Sequence, residues 1–410
     1  MRKVIFFTNG ITGVGGAERV LLEASLFFKN KGIDVTIVAF VLDKYALDDY
    51  HHEIHKKIKF IDLDEMDYIK RIFRLRKIIS KLDPDLIIGQ SSLDCMYIYL
   101  STYLTRYRYI SYVHGSLFWL ENDFLKYSLV HKSVFDKIRK SVIGHMQFVP
   151  KNIKLSLFKN IFFNIVALLE YFGVNKAKAI VVLTKQIQWE VKKLYNKRSV
   201  IIRGCVDQRL FRYNPKIDIK KRHNLKGKKI ILNIGRLDPR KRIDILIKAF
   251  FNLCSERKNK YKDIVLMIGG RGSDQERLDK IIDNPKYSQY KDRVIMLGFV
   301  KDSEYFDYLA GCDIFAFPSW TTSGIPTYEA LALGKKVVWT TEAEEPVLNH
   351  PNVYLADPNV AAFTEAIDKA LRSKLYPRPD LSNNTWDMYF EKLYILANNV
   401  FSNRNLYKPK

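Results

Sequence analysis

Cysteine is scarce. Four residues in 410, Cys95, Cys205, Cys254 and Cys312, lie far apart and form no paired ligand spacing. That argues against a disulfide scaffold and a zinc finger, and reads as reduced core thiols of a cytosolic protein. Long apolar runs are also missing: no stretch of about 18 apolar residues occurs, so no transmembrane helix is expected. The chain opens on an apolar strand at 4–7 with no secretory signal ahead of it. Acids fall short of bases, 44 against 68, which leaves a formal net charge of +24. Such an excess implies an anionic partner: a nucleotide, a nucleic acid or lipid head groups. No RNP-like aromatic motif accompanies the charge, and the bases gather in particular segments, so no nucleic-acid partner is expected.

What is present is a globular composition, 47% hydrophobic and 27% charged, in a chain long enough for two or three domains. Short apolar runs alternate with amphipathic stretches. The first half predicts strands at 4–7, 35–40, 86–88, 109–113, 179–183 and 200–202, and helices near 17–29, 69–81 and 93–104. Residues 124–174 interrupt this rhythm. There Phe124, Phe135, Phe158, Phe162 and Phe163 interleave with bases such as Lys137, Arg139 and Lys140. Two readings fit: a docking surface for an anionic membrane, or core helices with a solvated basic face. The second half predicts strands at 230–234, 264–268, 294–297, 314–317, 337–339 and 353–355. Its helices fall at 243–257, 275–282, 304–310, 363–371 and 386–400. The fold class is α/β: two units with parallel sheets, joined near 203–215, facing one another across a cleft.

The stretch 318–334, PSWTTSGIPTYEALALG, organises the rest. A tight loop at 323–326 leads into a short helix at 328–333 that Gly334 can end, with Pro326 at its first position and Glu329 in its first turn. A helix start of this kind can hold an anion, and a carboxylate beside it can take ribose hydroxyls; alternatively Glu329 only complements the helix dipole. Gly13, Gly15 and Gly16 follow the first strand without GxGxxG spacing and fit an anion-binding helix start or a generic turn. His114 follows strand 109–113, at the edge where parallel sheets bind ligands; a structural role fits as well. After strand 230–234 comes Gly235-Arg236-Leu237-Asp238-Pro239-Arg240-Lys241. Arg236 offers a planar fork and Lys241 a point charge, a pair suited to a diphosphate, whereas Arg240 and Arg242 read as solvated or membrane-side charges. Phe299 either stacks on a base or sits in the core.

Taken together and in order, GGAERV, YVHG, GRLDPRKRID, LGFV and FPSWTTSGIPTYEALALGKKVV resemble the retaining glycosyltransferases of family 4, which have the GT-B fold of two facing Rossmann-like domains. The resemblance implies that Arg236 and Lys241 bind the donor diphosphate and that Glu329 takes the ribose. It places the backbone of Ser323, Gly324 and Ile325 against phosphates and sugar. Gly15 and Gly16 would meet the phosphate region from the first domain, His114 the transferred sugar, and Phe299 the base side. The C-terminal helix would cross back onto the first domain. One position departs from the family: the first of its two glutamates is Thr321 here, a hydroxyl without charge.

The expectation is therefore a nucleotide-sugar-dependent, retaining glycosyltransferase that needs no metal. Residues 1–203 with 385–410 would form the acceptor domain and 204–384 the donor domain. The acceptor would be a glycan or lipid-linked, and the protein cytoplasmic and peripheral at the inner face of a membrane. Its rivals are a catalytically weakened GT-B subunit, suggested by Thr321, a GT-B sugar-nucleotide epimerase, and a basic nucleic-acid-binding protein.

Overall fold

The structure, a computed structural model, describes residues 1–13, 15–44, 47, 54–115, 117, 156–202, 206–256, 261–319, 324–343 and 345–404. The chain forms two compact units, Met1–Arg203 with Asp387–Lys410, and Gly204–Trp386.

Unit 1 is built on seven parallel strands. They are β1 (Lys3–Thr8), β2 (Asp34–Ala39), β3 (Lys59–Asp62), β4 (Leu86–Gly89), β5 (Tyr109–Val113), β6 (Ala179–Val182) and β7 (Val200–Ile201). Their order is β3-β2-β1-β4-β5-β6-β7. The central strands are short apolar runs because helices cover both faces of the sheet, leaving no polar side. These helices are α1 (Gly16–Asn30), α2 (Tyr68–Leu82), α3 (Ser92–Thr102), α4 (Leu157–Lys176) and α5 (Lys185–Tyr195). The direction of winding reverses between β1 and β4, which pair directly. That reversal is the switch point at which open parallel sheets leave a crevice.

Two corrections concern this unit. β3 was not expected. It is an edge strand, KFID, with charged residues at both ends, so its apolar signal is two residues long. Nor does α4 interrupt the βα rhythm: it leads into β6 as an ordinary crossover helix does and packs on α3. A side chain at Gly173 would lie 2.6 Å from the carbonyl oxygen of Cys95, so glycine is what lets these two helices touch. By length and composition α4 could also cross a bilayer, with a mean hydropathy of 1.4, where no such helix was expected. Residues 124–155, including Lys137, Arg139 and Lys140, lie outside the described residues.

Unit 2 repeats the plan with β8 (Lys229–Ile234), α6 (Ile243–Glu256), β9 (Ile264–Gly269), α7 (Gln275–Ile282), β10 (Val294–Gly298) and α8 (Asp302–Gly311). It continues through β11 (Ile314–Phe317), α9 (Ile325–Ala332), β12 (Lys336–Thr340), β13 (Val353–Ala356) and α10 (Val360–Arg372). The strand order is β10-β9-β8-β11-β12-β13. Each face of this sheet has its own apolar core. One joins Phe250, Leu266 and Ile367; the other joins Leu232, Phe315 and Trp339. Here the switch point lies between β8 and β11. The last helix, α11 (Trp386–Phe401), returns to unit 1. Its Tyr394 packs edge-on against Phe28, with centroids 5.4 Å apart, and its Glu391 pairs with Lys31 at 2.6 Å. Cys95, Cys254 and Cys312 are buried free thiols; Cys205 lies outside the described residues.

Candidate active site

In unit 2 the loops that leave β8, β9 and β10 are laced through glycine. The Gly235 amide donates to the Gly269 carbonyl at 2.9 Å, Leu237 to Arg271 at 3.0 Å, and Gly270 to Gly298 at 2.6 Å. A Cβ on Gly270 would sit 1.8 Å from the Gly235 carbonyl oxygen, and its φ is +136°, so no other residue fits there. This platform carries the basic turn after β8. Asp238 caps the turn through the Arg240 amide at 2.9 Å and also holds the Arg240 guanidinium in a fork, at 2.9 and 2.7 Å. Arg242 is buried, has φ +50°, and forks onto Glu342 at 2.5 and 3.1 Å. The expectation of solvated charges at 240 and 242 is thus corrected: both are neutralised within the unit.

Arg236 and Lys241 are not. Arg236 is exposed, and neither cation has a carboxylate partner among the described residues. The Lys241 ammonium lies 5.4 Å above the ring of Phe317, the last residue of β11, so it sits across the switch point. Burial, with the Arg240 guanidinium nearby, pushes its pKa down to about 8.

The stretch after β11 folds around two glycines. Gly324 caps α9 with φ +58°, and a Cβ there would lie 2.2 Å from the Trp339 ring. Gly334, with φ +71°, closes the helix: its amide reaches Leu331 at 2.9 Å and the Lys335 amide reaches Ala330 at 2.9 Å. These two bonds are the paired C-terminal closure that a left-handed residue makes possible. The helix starts at Ile325, so Pro326 is its second residue and Glu329 its fifth. Glu329 therefore leaves the first turn, and the reading in which it only complements the dipole is corrected. It is fully buried and accepts a hydrogen bond from the Tyr305 hydroxyl at 2.7 Å. Phe299, following β10, is 57% exposed, so it is not a core residue and its ring is available to a planar ligand. Thr321 and Ser323 lie outside the described residues.

In unit 1 the carboxyl edge is arranged differently. His114 follows β5, and its Nε2 lies 2.8 Å from Gln90 Oε1 at the end of β4. The Gln90 side-chain nitrogen Nε2 donates to the Ile88 carbonyl at 3.3 Å, which turns the Gln90 side-chain oxygen toward the histidine. Nε2 is then the protonated nitrogen, and Nδ1, buried and unpartnered among the described residues, is an acceptor. Burial pushes the imidazole pKa down to about 3, so the ring is neutral. Tyr112 lies 4.1 Å beneath it, and Tyr389 of α11 lies 6.4 Å from Tyr112. Beside the switch point, Asp94 accepts from the Gln90 amide at 3.1 Å, and burial raises its carboxyl to about 7. Gly15 caps α1 and donates to Glu18 Oε2 at 3.0 Å. A side chain on Gly16 would meet nothing within 4 Å, so the protein's own packing does not require glycine there.

The expectation of a metal-free reaction passed over two Asp-x-Asp triplets, 62–64 and 83–85. Both are engaged within the unit. Asp62 accepts from the Asp64 amide at 3.0 Å, Asp83 pairs with Arg106 at 2.7 Å, and Asp85 accepts from the Lys3 amide at 3.0 Å. Among the described residues no group of three or more His, Cys, Asp or Glu could hold a metal ion. Sequence reasoning missed Gln90, Tyr305 and Glu342, each of which acts through a partner distant in the chain.

Two family descriptions match the chain in tandem: Glycosyltransferase Family 4 over residues 14–210 and Glycosyl transferases group 1 over 215–386. A similar protein is the phosphatidylinositol N-acetylglucosaminyltransferase GPI3 subunit of Saccharomyces cerevisiae, 25% identical over 208 residues. That match spans 46% of this chain and 44% of the yeast protein, so the chain corresponds to less than half of that relative's length. Among solved structures, a glycosyltransferase from Rickettsia africae superposes with a TM-score of 0.70 at 18% identity, over 98% of this chain and 99% of the other. Anabaena Alr3699/HepE in complex with UDP-glucose superposes with a TM-score of 0.64 at 15% identity, over 97% of this chain and 96% of the other. These structural likenesses concern the fold. With both units matched and their strand orders in place, the chain belongs to glycosyltransferase family 4, with the GT-B fold.

Proposed function

We propose that the protein is a retaining glycosyltransferase that moves a sugar from a nucleoside-diphosphate sugar to a glycan or lipid-linked acceptor at a membrane surface. One observation carries the reading. The turn after β8 holds four cations, and carboxylates neutralise two of them, Arg240 and Arg242, while Arg236 and Lys241 stand at the switch point without one among the described residues. Keeping a half-buried ammonium unpaired costs stability, and a protein that keeps one there has an anion for it. As the glycosidic bond breaks, negative charge grows on the leaving diphosphate. Two fixed cations stabilise that charge most at the transition state.

The other roles follow from chemistry in place. The buried Glu329 carboxylate, held by Tyr305, takes ribose hydroxyls. Exposed Phe299 offers a face to the base. His114 is neutral and bonded to Gln90, so at the sugar side of this edge it acts as a neutral polar group and is not a charged acid. In the retaining route the acceptor hydroxyl attacks from the face that the phosphate leaves, and the departing phosphate takes its proton. No protein nucleophile and no metal is required by this scheme. UDP-glucose in the Anabaena relative and the phosphatidylinositol named for the yeast relative support the substrate classes. The location that suits them is the cytoplasmic side of a membrane, with peripheral attachment.

A thermal-shift series with UDP-, GDP- and ADP-sugars tests the donor, since a ligand bound only by the folded state raises the melting temperature. One class should raise it, and the same class should give a transferred, anomerically retained product. Failure of all three to shift the protein removes the donor reading. Release of a rearranged free sugar without any acceptor would favour an epimerase instead.

A further inference from the structure

Large apolar side chains left in solvent are concentrated on two helices of unit 1. α2 exposes Ile69 and Phe73, each 67%, together with Tyr68; α4 exposes Phe158, at 85%, with Phe162 and Ile165. The two helices share one patch, because the rings of Tyr68 and Phe162 meet edge to face with centroids 6.0 Å apart. Contiguous exposed apolar surface of this kind marks an interaction site.

The opposite face of each helix is committed to the fold. α2 buries Leu75 and Ile79. α4 buries Ala167 and Val174, and its Glu170 accepts from the Tyr195 hydroxyl at 3.2 Å. A helix held on one side by a protein core, with a buried carboxyl in that side, is not surrounded by lipid. Its apolar outer face suits the boundary layer of a bilayer, not a crossing.

Charge selects the partner. Along α2, Ile69, Phe73, Lys77 and Lys81 follow one another four residues apart, so one stripe passes from apolar to basic. Lys70 and Arg76 are exposed beside it, as is Lys159 on α4. The only acid within either helix is Glu170, and it is buried. Arg74 is the exception among the bases, since it pairs with Glu65 at 3.0 Å. Exposed Asp64 and Asp67 lie just ahead of α2, and Asp67 is taken up in capping it through the Ile69 and Lys70 amides. Within the two helices the exposed charge is basic, and an apolar patch bordered by such bases fits anionic head groups over acyl chains.

Position gives the patch a purpose. Arg71 lies 3.5 Å from the Asn9 side-chain oxygen and 4.7 Å over the Phe40 ring, and those residues follow β1 and β2. α4 runs into the start of β6, so its first turns are at the opposite, carboxyl edge of the sheet. The patch thus flanks the edge that carries His114. We propose that the outer face of α2 with the first half of α4 docks on the head-group layer of an anionic phospholipid bilayer and holds that edge at the lipid surface. The purpose rests on the transfer reading above, whereas the docking does not.

The test is sedimentation of the full chain with vesicles of phosphatidylcholine alone, or mixed with phosphatidylglycerol. The wild type should bind the mixed vesicles, and added salt should weaken binding. Two triple variants, Phe158→Ser/Phe162→Ser/Ile165→Ser and Lys70→Glu/Arg76→Glu/Lys77→Glu, should each lose at least tenfold in binding. Both should keep the wild-type melting temperature and its shift by nucleotide-sugar. No wild-type binding to mixed vesicles at low salt overturns the docking and leaves the donor chemistry standing. Equal binding by wild type and both folded variants overturns this surface alone. A wild-type dimer that the α4 variant converts to monomer assigns the patch to a second copy and overturns the bilayer as its occupant. A wild type that docks but transfers no sugar sinks the transfer reading and spares the surface.

Discussion

At the β8/β11 switch point, Arg236 and Lys241 stand without carboxylates among the described residues; at the β1/β4 switch point, the corresponding edge holds a neutral imidazole, an amide and a carboxyl raised to about 7 by burial. Both units wind the same way and put ligand-facing loops at the same edge. Their electrostatics differ because of what else was buried. Unit 2 spends two acids, Asp238 and Glu342, on Arg240 and Arg242 and leaves Arg236 and Lys241 bare among the described residues. Unit 1 buries its polar groups against each other, and an acid, Glu18, already takes the Gly15 amide at the start of α1. On the proposed function, one edge would meet a charged leaving group and the other uncharged hydroxyls.

The strongest way to break this contrast is to remove a bare cation. Lys241→Ala and Arg236→Ala should each lower kcat by roughly 10²- to 10³-fold, the cost of losing one transition-state donor. The double variant should lose less than the product of the two, because both act on one diphosphate. Steady-state kinetics decide it. Unchanged kcat in both folded single variants would leave the turn after β8 without a role in the reaction. By contrast, Arg242→Ala should act through folding: it abandons Glu342 in a mostly buried fork, and its melting temperature should fall.

Smaller, and aimed at the ribose side, are changes at Glu329 and its partner. Glu329→Gln should weaken donor binding by about 1.5–3 kcal/mol, the worth of hydrogen bonds to a charged group. Tyr305→Phe removes one hydrogen bond to the Glu329 carboxyl and should cost about 1 kcal/mol. Calorimetric titration with a nucleoside diphosphate and its 2′-deoxy form separates the two ideas. Glu329→Gln should erase the preference for ribose. If it does so and Tyr305→Phe has no effect, Tyr305 supports the fold and not the site.

How far these residues could be read in the sequence follows from their separation. Arg236, Lys241, Gly324 and Glu329 stand in local motifs and were legible. Which two of four neighbouring cations stay bare was not, because Glu342 lies a hundred residues beyond Arg242. Tyr305 lies 24 residues before Glu329, on the preceding helix. The order of strands and helices was legible wherever apolar runs ended on glycine or polar turns. β3 escaped because charged residues bracket its two apolar ones, and α5 because Glu190, buried and accepting from the Leu117 amide at 2.6 Å, breaks its apolar face. The strand order, and with it the switch points, has no local signal. It is set by which faces need covering.

The last difference between the edges is one of pH. Lys241 has a folded pKa of about 8 against 10.5 for the free side chain, because burial penalises its charge. The folded state therefore binds fewer protons than the unfolded one between these values, and stability rises with pH across that window. Below about 8 the penalty is present in full; above 10.5 it is gone. Lys241→Met should accordingly melt at a higher temperature than wild type at pH 7, although it fails in turnover, and the gap should close as pH rises through the window. Diphosphate restores the charge's partner, so wild-type donor affinity should fall as pH climbs past about 8, and binding near that pH should take up a proton. His114 should show none of this. With its pKa near 3 it stays neutral from pH 5 upward. NMR titration of its ring protons should be flat between pH 5 and 8. A His114 signal that titrates near 6.5 would mean water reaches the ring, and the view of that edge as a site for neutral groups would fall.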